Sequence, residues 1–230
     1  MNVRKMIVPM LGIVLISGLL ASSASAESRT HLLIVDLRHN GAAGFTGSKE
    51  AALSYLDNQV KSGDEASLLT LSSLGGIQVI EDLTADTDSL RKKIVGLRGI
   101  PEQLNGNFGG SLFGLMREYG LMESLAAVAA GLVDIPGPKS VVYLSSGFPF
   151  SVYQNDRLFH DRFDAMAKAF GAAGAPVIAV NALGRRVVEG GLDRNDYILR
   201  KLADLSGGRF CWTVNDLKKI EFAAGAPVSH

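Results

Sequence analysis

His31-Leu32-Leu33-Ile34-Val35-Asp36-Leu37 decides the fold. Its centre is apolar without interruption, where a strand with one wet face would alternate. Such a run suits a strand buried on both faces, as in a parallel sheet covered by helices. Leu53, Leu56 and Val60 then recur at helical spacing between Gly47 and Gly63, and Ala66 to Leu71 returns to strand character. Gly75-Gly76 leaves too short a gap for a helix before Ile77 to Ile80, so these two strands are expected to form an antiparallel hairpin.

The alternation continues toward the carboxyl end. Leu90, Ile94 and Leu97 make one face of a helix whose start Asp86 or Asp88 can cap. Residues 99–111 read as a Gly- and Asn-rich loop, followed by a long apolar helix from about Leu112 to Val133, with Gly120 a candidate break and Pro136-Gly137-Pro138 the stop. Val141-Val142-Tyr143-Leu144 is a second buried strand, closing on Ser145-Ser146-Gly147. Phe159, Phe163, Met166 and Phe170 form a helical core face. Pro176 to Val180 reads as a strand, Ile198, Leu202 and Leu205 as a helix, and Phe210 to Val214 as the last strand. Asn215 or Asp216 caps a short final helix. Strands alternating with helices predict an α/β fold with a mostly parallel sheet, helices on both faces and one antiparallel hairpin. In such sheets ligands bind beyond the carboxyl ends of the strands, which directs attention to the loops beginning at Asp36, Ser145 and Asn181.

The first residues have a different character. Arg4 and Lys5 precede an apolar stretch from Met6 to Leu20, and Ala21-Ser22-Ser23-Ala24-Ser25-Ala26 follows with small residues at Ala24 and Ala26. This is the three-part pattern of a secretory signal, with cleavage expected after Ala26. The apolar stretch is shorter than the ~20 residues a bilayer crossing needs, so no membrane anchor is expected after cleavage, and the mature chain is expected to be secreted or periplasmic. Residues 27–220 then form one domain, and 221–230 a tail. Arg4 and Lys5 leave with the signal, so the mature chain carries 21 Lys+Arg against 23 Asp+Glu. That balance does not suggest a nucleic-acid partner. Cys211 is the only cysteine, which excludes an internal disulfide, and the four histidines show none of the short spacings of metal sites.

Several segments resemble the von Willebrand factor type A (VWFA) domain. Leu33-Ile34-Val35-Asp36 looks like its first strand, and the hairpin before Glu81-Asp82-Leu83-Thr84 like its edge hairpin. Ile135-Pro136-Gly137-Pro138-Lys139, Val142-Tyr143-Leu144-Ser145-Ser146-Gly147-Phe148-Pro149, Leu202-Ala203-Asp204-Leu205-Ser206-Gly207-Gly208-Arg209-Phe210 and Asn215-Asp216-Leu217 follow in order. Together they resemble secreted bacterial proteins related to this domain, of a type common in acidobacteria. The resemblance covers roughly residues 31 to 220 and implies a six-stranded sheet in a three-layer fold of Rossmann-like topology. It implies non-covalent binding of a protein or matrix partner, without catalysis.

Many domains of that family hold a divalent cation at the strand ends (the MIDAS site), through an Asp-x-Ser-x-Ser loop, a threonine and a further aspartate. Asp36 matches the first aspartate. Arg38 and Asn40 stand in place of the serines, Leu121-Met122-Glu123-Ser124 offers no threonine, and Ser146 stands in place of the last aspartate. A degenerate site without metal is therefore expected, with Asp36 its only residual ligand and either Arg38 or backbone amides as its partner. No cofactor is expected. Asp36, Arg38, Asn40, Ser145 and Ser146 are the candidate partner-binding residues of the strand-end loops.

A second reading is an NAD(P)-dependent short-chain dehydrogenase. Gly41-Ala42-Ala43-Gly44-Phe45-Thr46-Gly47 matches its glycine loop, Tyr197 and Lys201 its Tyr-x-x-x-Lys, and Ser145 or Ser146 its serine. Against it, Leu37 to Asn40 separate strand from glycine loop, the serines lie far ahead of the tyrosine, and the cofactor is scarce outside the cytoplasm. A purely structural envelope module is a third reading.

Overall fold

The computed structural model describes residues 28–72, 76–99, 112–184 and 194–220. Residues 1–26 read as a signal, Gly75 of the expected hairpin turn, residues 100–111 of the expected loop and the expected tail at 221–230 lie outside these. Six strands form one sheet: β1 (Thr30–Asp36), β2 (Glu65–Ser72), β3 (Gly76–Thr84), β4 (Lys139–Ser145), β5 (Val177–Asn181) and β6 (Arg209–Cys211). Their order is β3-β2-β1-β4-β5-β6, all parallel except β3, which returns antiparallel beside β2. The helices are α1 (Ala42–Asn58), α2 (Thr87–Gly96), α3 (Leu112–Gly131), α4 (Phe150–Asn155), α5 (Arg157–Ala172), α6 (Arg194–Ser206) and α7 (Val214–Leu217).

The apolar runs are continuous because successive residues enter two different cores. Leu32, Ile34, Val141, Tyr143, Val177 and Ala179 face the layer of α3, α5 and α6. Leu33, Val35, Val142, Leu144, Ile178 and Val180 face α1 and the residues of α2 and α7. Leu33, Val35, Val142 and Leu144 have no exposed surface. This is the expected three-layer α/β architecture.

Local chemistry explains the boundaries that differ from expectation. α1 begins at Ala42, so Gly44 and Gly47 lie inside a helix rather than in a loop before it. α3 runs through Gly120 unbroken. Asp86 caps α2 by accepting from the Ser89 amide, and Asp156 caps α5 in the same way through Phe159. β6 ends at Cys211, short of the expected Val214, because the Trp212 and Thr213 amides turn to the Asp216 carboxylate at 3.0 Å. Thr213, rather than Asn215 or Asp216, is the cap of α7, with Asp216 completing a capping box. Cys211 is buried, and burial pushes its thiol up to about 11, leaving it inert.

At the amino ends of the strands, fully buried His31 meets the Tyr55 hydroxyl through Nδ1 at 2.9 Å and Asp64 through Nε2 at 3.1 Å. Asp64 also accepts from the Arg29 and Lys61 amides. Burial lowers the His31 pKa against the pull of Asp64.

Candidate functional site

The connectivity changes direction between β1 and β4, and at their carboxyl ends Asp36 and Ser145 come together. Asp36 has no exposed surface, and five donors take up its carboxylate. Oδ1 accepts from the Arg38 amide at 2.9 Å and the His39 amide at 3.0 Å. Oδ2 accepts from Tyr143 Oη at 2.7 Å, Ser145 Oγ at 2.6 Å and His39 Nδ1 at 2.7 Å. The β1–α1 turn is thus wound around one carboxylate.

His39 extends the network. Its Nε2 lies 3.3 Å from Glu118 of α3, so both ring nitrogens face carboxylates. Burial disfavours the imidazolium, but the charges of Asp36 and Glu118 outweigh it and push the pKa up to about 10. Burial likewise opposes the Asp36 charge, and His39 with the hydrogen bonds of Ser145 and Tyr143 overcomes it, holding that carboxyl at about 2. Phe148, itself fully buried, tilts over the imidazole at 5.1 Å and stacks on Tyr143, keeping the cluster dry.

Arg38 turns away from Asp36. Its Nε and Nη2 donate to Glu118 Oε1 at 2.8 Å and 2.5 Å, with Nη2 also 3.4 Å from the Gly114 carbonyl. Of the two partners expected for Asp36, the backbone amides of Arg38 and His39 serve, joined by the His39 ring, while the Arg38 side chain pairs with Glu118 instead. Burial works against Glu118 too, and His39 and Arg38 together hold its pKa low. Two carboxylates and two cations close a buried, charge-balanced quartet.

Asn40 and Ser146 form a second link between the same loops. Ser146 Oγ donates to Asn40 Oδ1 at 2.7 Å, while Asn40 Nδ2 donates to Ser48 Oγ at 2.7 Å and to the Leu144 carbonyl at 3.2 Å. The structure brings all five expected residues together at the ends of β1 and β4. Their side chains are buried, and they hold the loops in place. His39, Glu118, Tyr143 and Phe148 complete the cluster and were missed in the sequence. His39 had a signal, since it stands three residues after Asp36 in the same turn, while nothing in the mostly apolar helix separates buried Glu118 from its exposed companions Arg117 and Glu123.

The residues do not fit a hard divalent cation, which needs several oxygen ligands around one point. Asp36 already has five donors. His39 separates it from Glu118 by using opposite ring nitrogens, so the two carboxylates do not converge. Among the described residues, no group of three or more His, Cys, Asp or Glu is arranged to hold a metal ion.

The glycines of the dehydrogenase reading have another role. A Cβ on Gly44 would meet Ser146 Oγ at 2.4 Å, and one on Gly47 would meet the Ala182 carbonyl at 1.9 Å. They bring α1 against the chain's own strand ends, where a dinucleotide would have to lie. Ser145 and Ser146 are engaged by Asp36 and Asn40, and Lys201 lies 3.8 Å from Asp164.

Among solved structures, an aerotolerance-related membrane protein from Bacteroides fragilis, carrying multiple mutations to serines, is similar with a TM-score of 0.57 and 14% identity over 84% of this chain and 96% of that one. BatB, a conserved hypothetical protein from Bacteroides thetaiotaomicron, gives 0.54 and 13% over 84% and 94%. Three N-terminal domains of the type V pili tip protein Mfa5 from Porphyromonas gingivalis give 0.53 and 11% over 83% of this chain and 48% of that one. No protein-family model matches the sequence, and the comparison with curated proteins gives no match. The three-layer sheet, its strand order and its edge hairpin define a VWFA-like fold. Within that fold, this chain carries a degenerate strand-end site, filled by its own Arg38, His39 and Glu118.

Proposed function

We propose that the protein is an exported, non-catalytic VWFA-like binding module of the secreted acidobacterial type, which recognises a protein or matrix partner of the cell envelope without a metal ion. The observation that carries this reading is the saturation of Asp36 by five donors from within the chain. The loops that end β1 and β4, held by Asp36, Arg38, Asn40, Ser145 and Ser146, present the partner surface. Export rests on the signal pattern up to Ala26. No helix of the described residues is long and apolar enough to cross a membrane. Use of this fold by a pilus tip protein supports a place at the cell surface.

The test is capture of envelope components by the immobilised chain in EDTA and in magnesium. Equal capture in both is expected, and it should be abolished by Ala43→Arg, a bulky change at an exposed position beside the strand-end loops. Capture that requires magnesium, or that survives Ala43→Arg unchanged, contradicts the proposal. Mass spectrometry should find a mature terminus at Glu27; an intact Met1 on a cytosolic species contradicts export.

A further inference from the structure

The far edge of the sheet carries a second charge arrangement, separate from the strand-end quartet. Among the described residues β6 is the terminal strand, with only β5 beside it. From α6, the Arg200 guanidinium lies over two rings, 4.7 Å from the centre of Phe210 and 4.4 Å from that of Trp212. The rings themselves meet edge to face at 5.0 Å. Stacking of this kind restricts the side chain and leaves the guanidinium donors directed outward in their own plane, the geometry that receives a carboxylate.

No described carboxylate receives them. Arg38, Arg91, Arg157 and Arg162 each reach an acidic side chain. Among the described residues neither Arg200 nor Arg209, on the opposite face of β6, forms an ion pair, and Arg200 Nε is buried without a hydrogen bond. Asp216, in the turn after β6, is engaged by the Trp212 and Thr213 amides and the Thr213 hydroxyl. A buried donor without an acceptor is costly, so an incoming acceptor gains more here than at a solvated arginine. Arg209 is exposed, while Arg200, Phe210 and Trp212 are half-buried, so the cluster is open to an incoming chain.

We propose that this edge binds an extended acidic segment of a protein partner, which adds alongside β6 and places the carboxylates of two successive residues, which face opposite sides of a strand, one on Arg200 at the α6 face and one near Arg209 at the other. Main-chain pairing with an edge strand supplies affinity, and the two arginines select for acidic residues. The site is independent of the strand-end loops and stands whether or not they bind a partner.

Trp212 is the only tryptophan, so its fluorescence reports on this site alone. The full chain is titrated with a capped peptide of repeated Val-Glu-Glu-Val, whose paired glutamates face both sides of an extended strand, with the same peptide carrying glutamine for glutamate, and with inorganic phosphate. The glutamate peptide should give a saturable change, weakened about tenfold by Arg200→Gln and several-fold by Arg209→Gln, and reduced by salt. Circular dichroism verifies that Arg200→Gln is folded. Arg209→Gln, at an exposed position, supplies the same reading if it is not. Ala43→Arg should bind the peptide normally, which separates this edge from the loop surface. The proposal is overturned by the absence of a saturable change, by an equal response to the glutamine peptide, or by a comparable response to phosphate.

Discussion

The Arg38 guanidinium closes on the Glu118 carboxylate with two nitrogens on one oxygen, at 2.8 Å and 2.5 Å, and with both side chains at least 95% shielded from water. This pair joins the β1–α1 turn to α3 at the place where the fold otherwise receives ligands. Breaking such a pair leaves a bare charge in a dry site, at a cost of about 3–5 kcal/mol. Glu118→Ala and Arg38→Ala are each expected to lose about that much in urea melts. The double variant Arg38→Met/Glu118→Leu should lose clearly less than the sum. Additive losses would show that the two groups do not act together.

Stability should vary with pH in a direction set by His39. Its folded pKa, about 10, lies above the ordinary 6.5, so its contribution is complete below 6.5 and lost as the pH rises toward 10. Asp36, held at about 2 against an ordinary 3.8, contributes fully above 3.8 and loses that contribution as the pH falls toward 2. His31 acts in the opposite sense to His39: its pKa is lowered, so its contribution is present above 6.5 and lost on acidification. Glu118, Arg38 and Tyr143 also border the Asp36–His39 pair, and Glu118 reinforces the His39 shift. The alkaline decline in melting temperature should be flatter in His39→Gln than in the parent. Parallel profiles would remove His39 from the account.

Two glycines of one chain should respond oppositely to alanine. At Gly47 a new Cβ falls 1.9 Å from the Ala182 carbonyl, so Gly47→Ala should destabilise by about 1–3 kcal/mol as α1 is forced outward. At Gly120, exposed within α3, nothing lies within 4 Å, and Gly120→Ala should stabilise by about 0.5–1 kcal/mol. Thermal melts of both variants check this. A harmless Gly47→Ala would reopen the reading of that segment as a nucleotide loop.

The sheet was legible because burial on both faces writes itself into the sequence: Leu32 to Val35 and Val141 to Leu144 have no polar gaps, and the structure divides each run between two cores. Helix caps were less so, since Asn215, Asp216 and Thr213 all suit the role and only the turn of the chain selects Thr213. Of the strand-end cluster, Asp36, Arg38, Asn40, Ser145 and Ser146 were visible as strand-end positions. Their partners were not, because pairing is a matter of direction: Arg38 and His39 are adjacent in sequence, yet both reach Glu118 while only the His39 side chain reaches Asp36. Glu118 lies eighty residues from Arg38, on a helix whose apolar character drew attention away from its one buried carboxylate.

Protein side chains occupy the strand-end site in place of a cation, and the melting temperature in magnesium or manganese reads this out. A native-state site of millimolar affinity at tenfold excess would add about 1.4 kcal/mol, a shift of a few degrees for a domain of this size. No shift is expected in either metal relative to EDTA, in the parent and in Asp36→Ala alike. A saturable, EDTA-reversible rise in the parent that disappears in Asp36→Ala would contradict it.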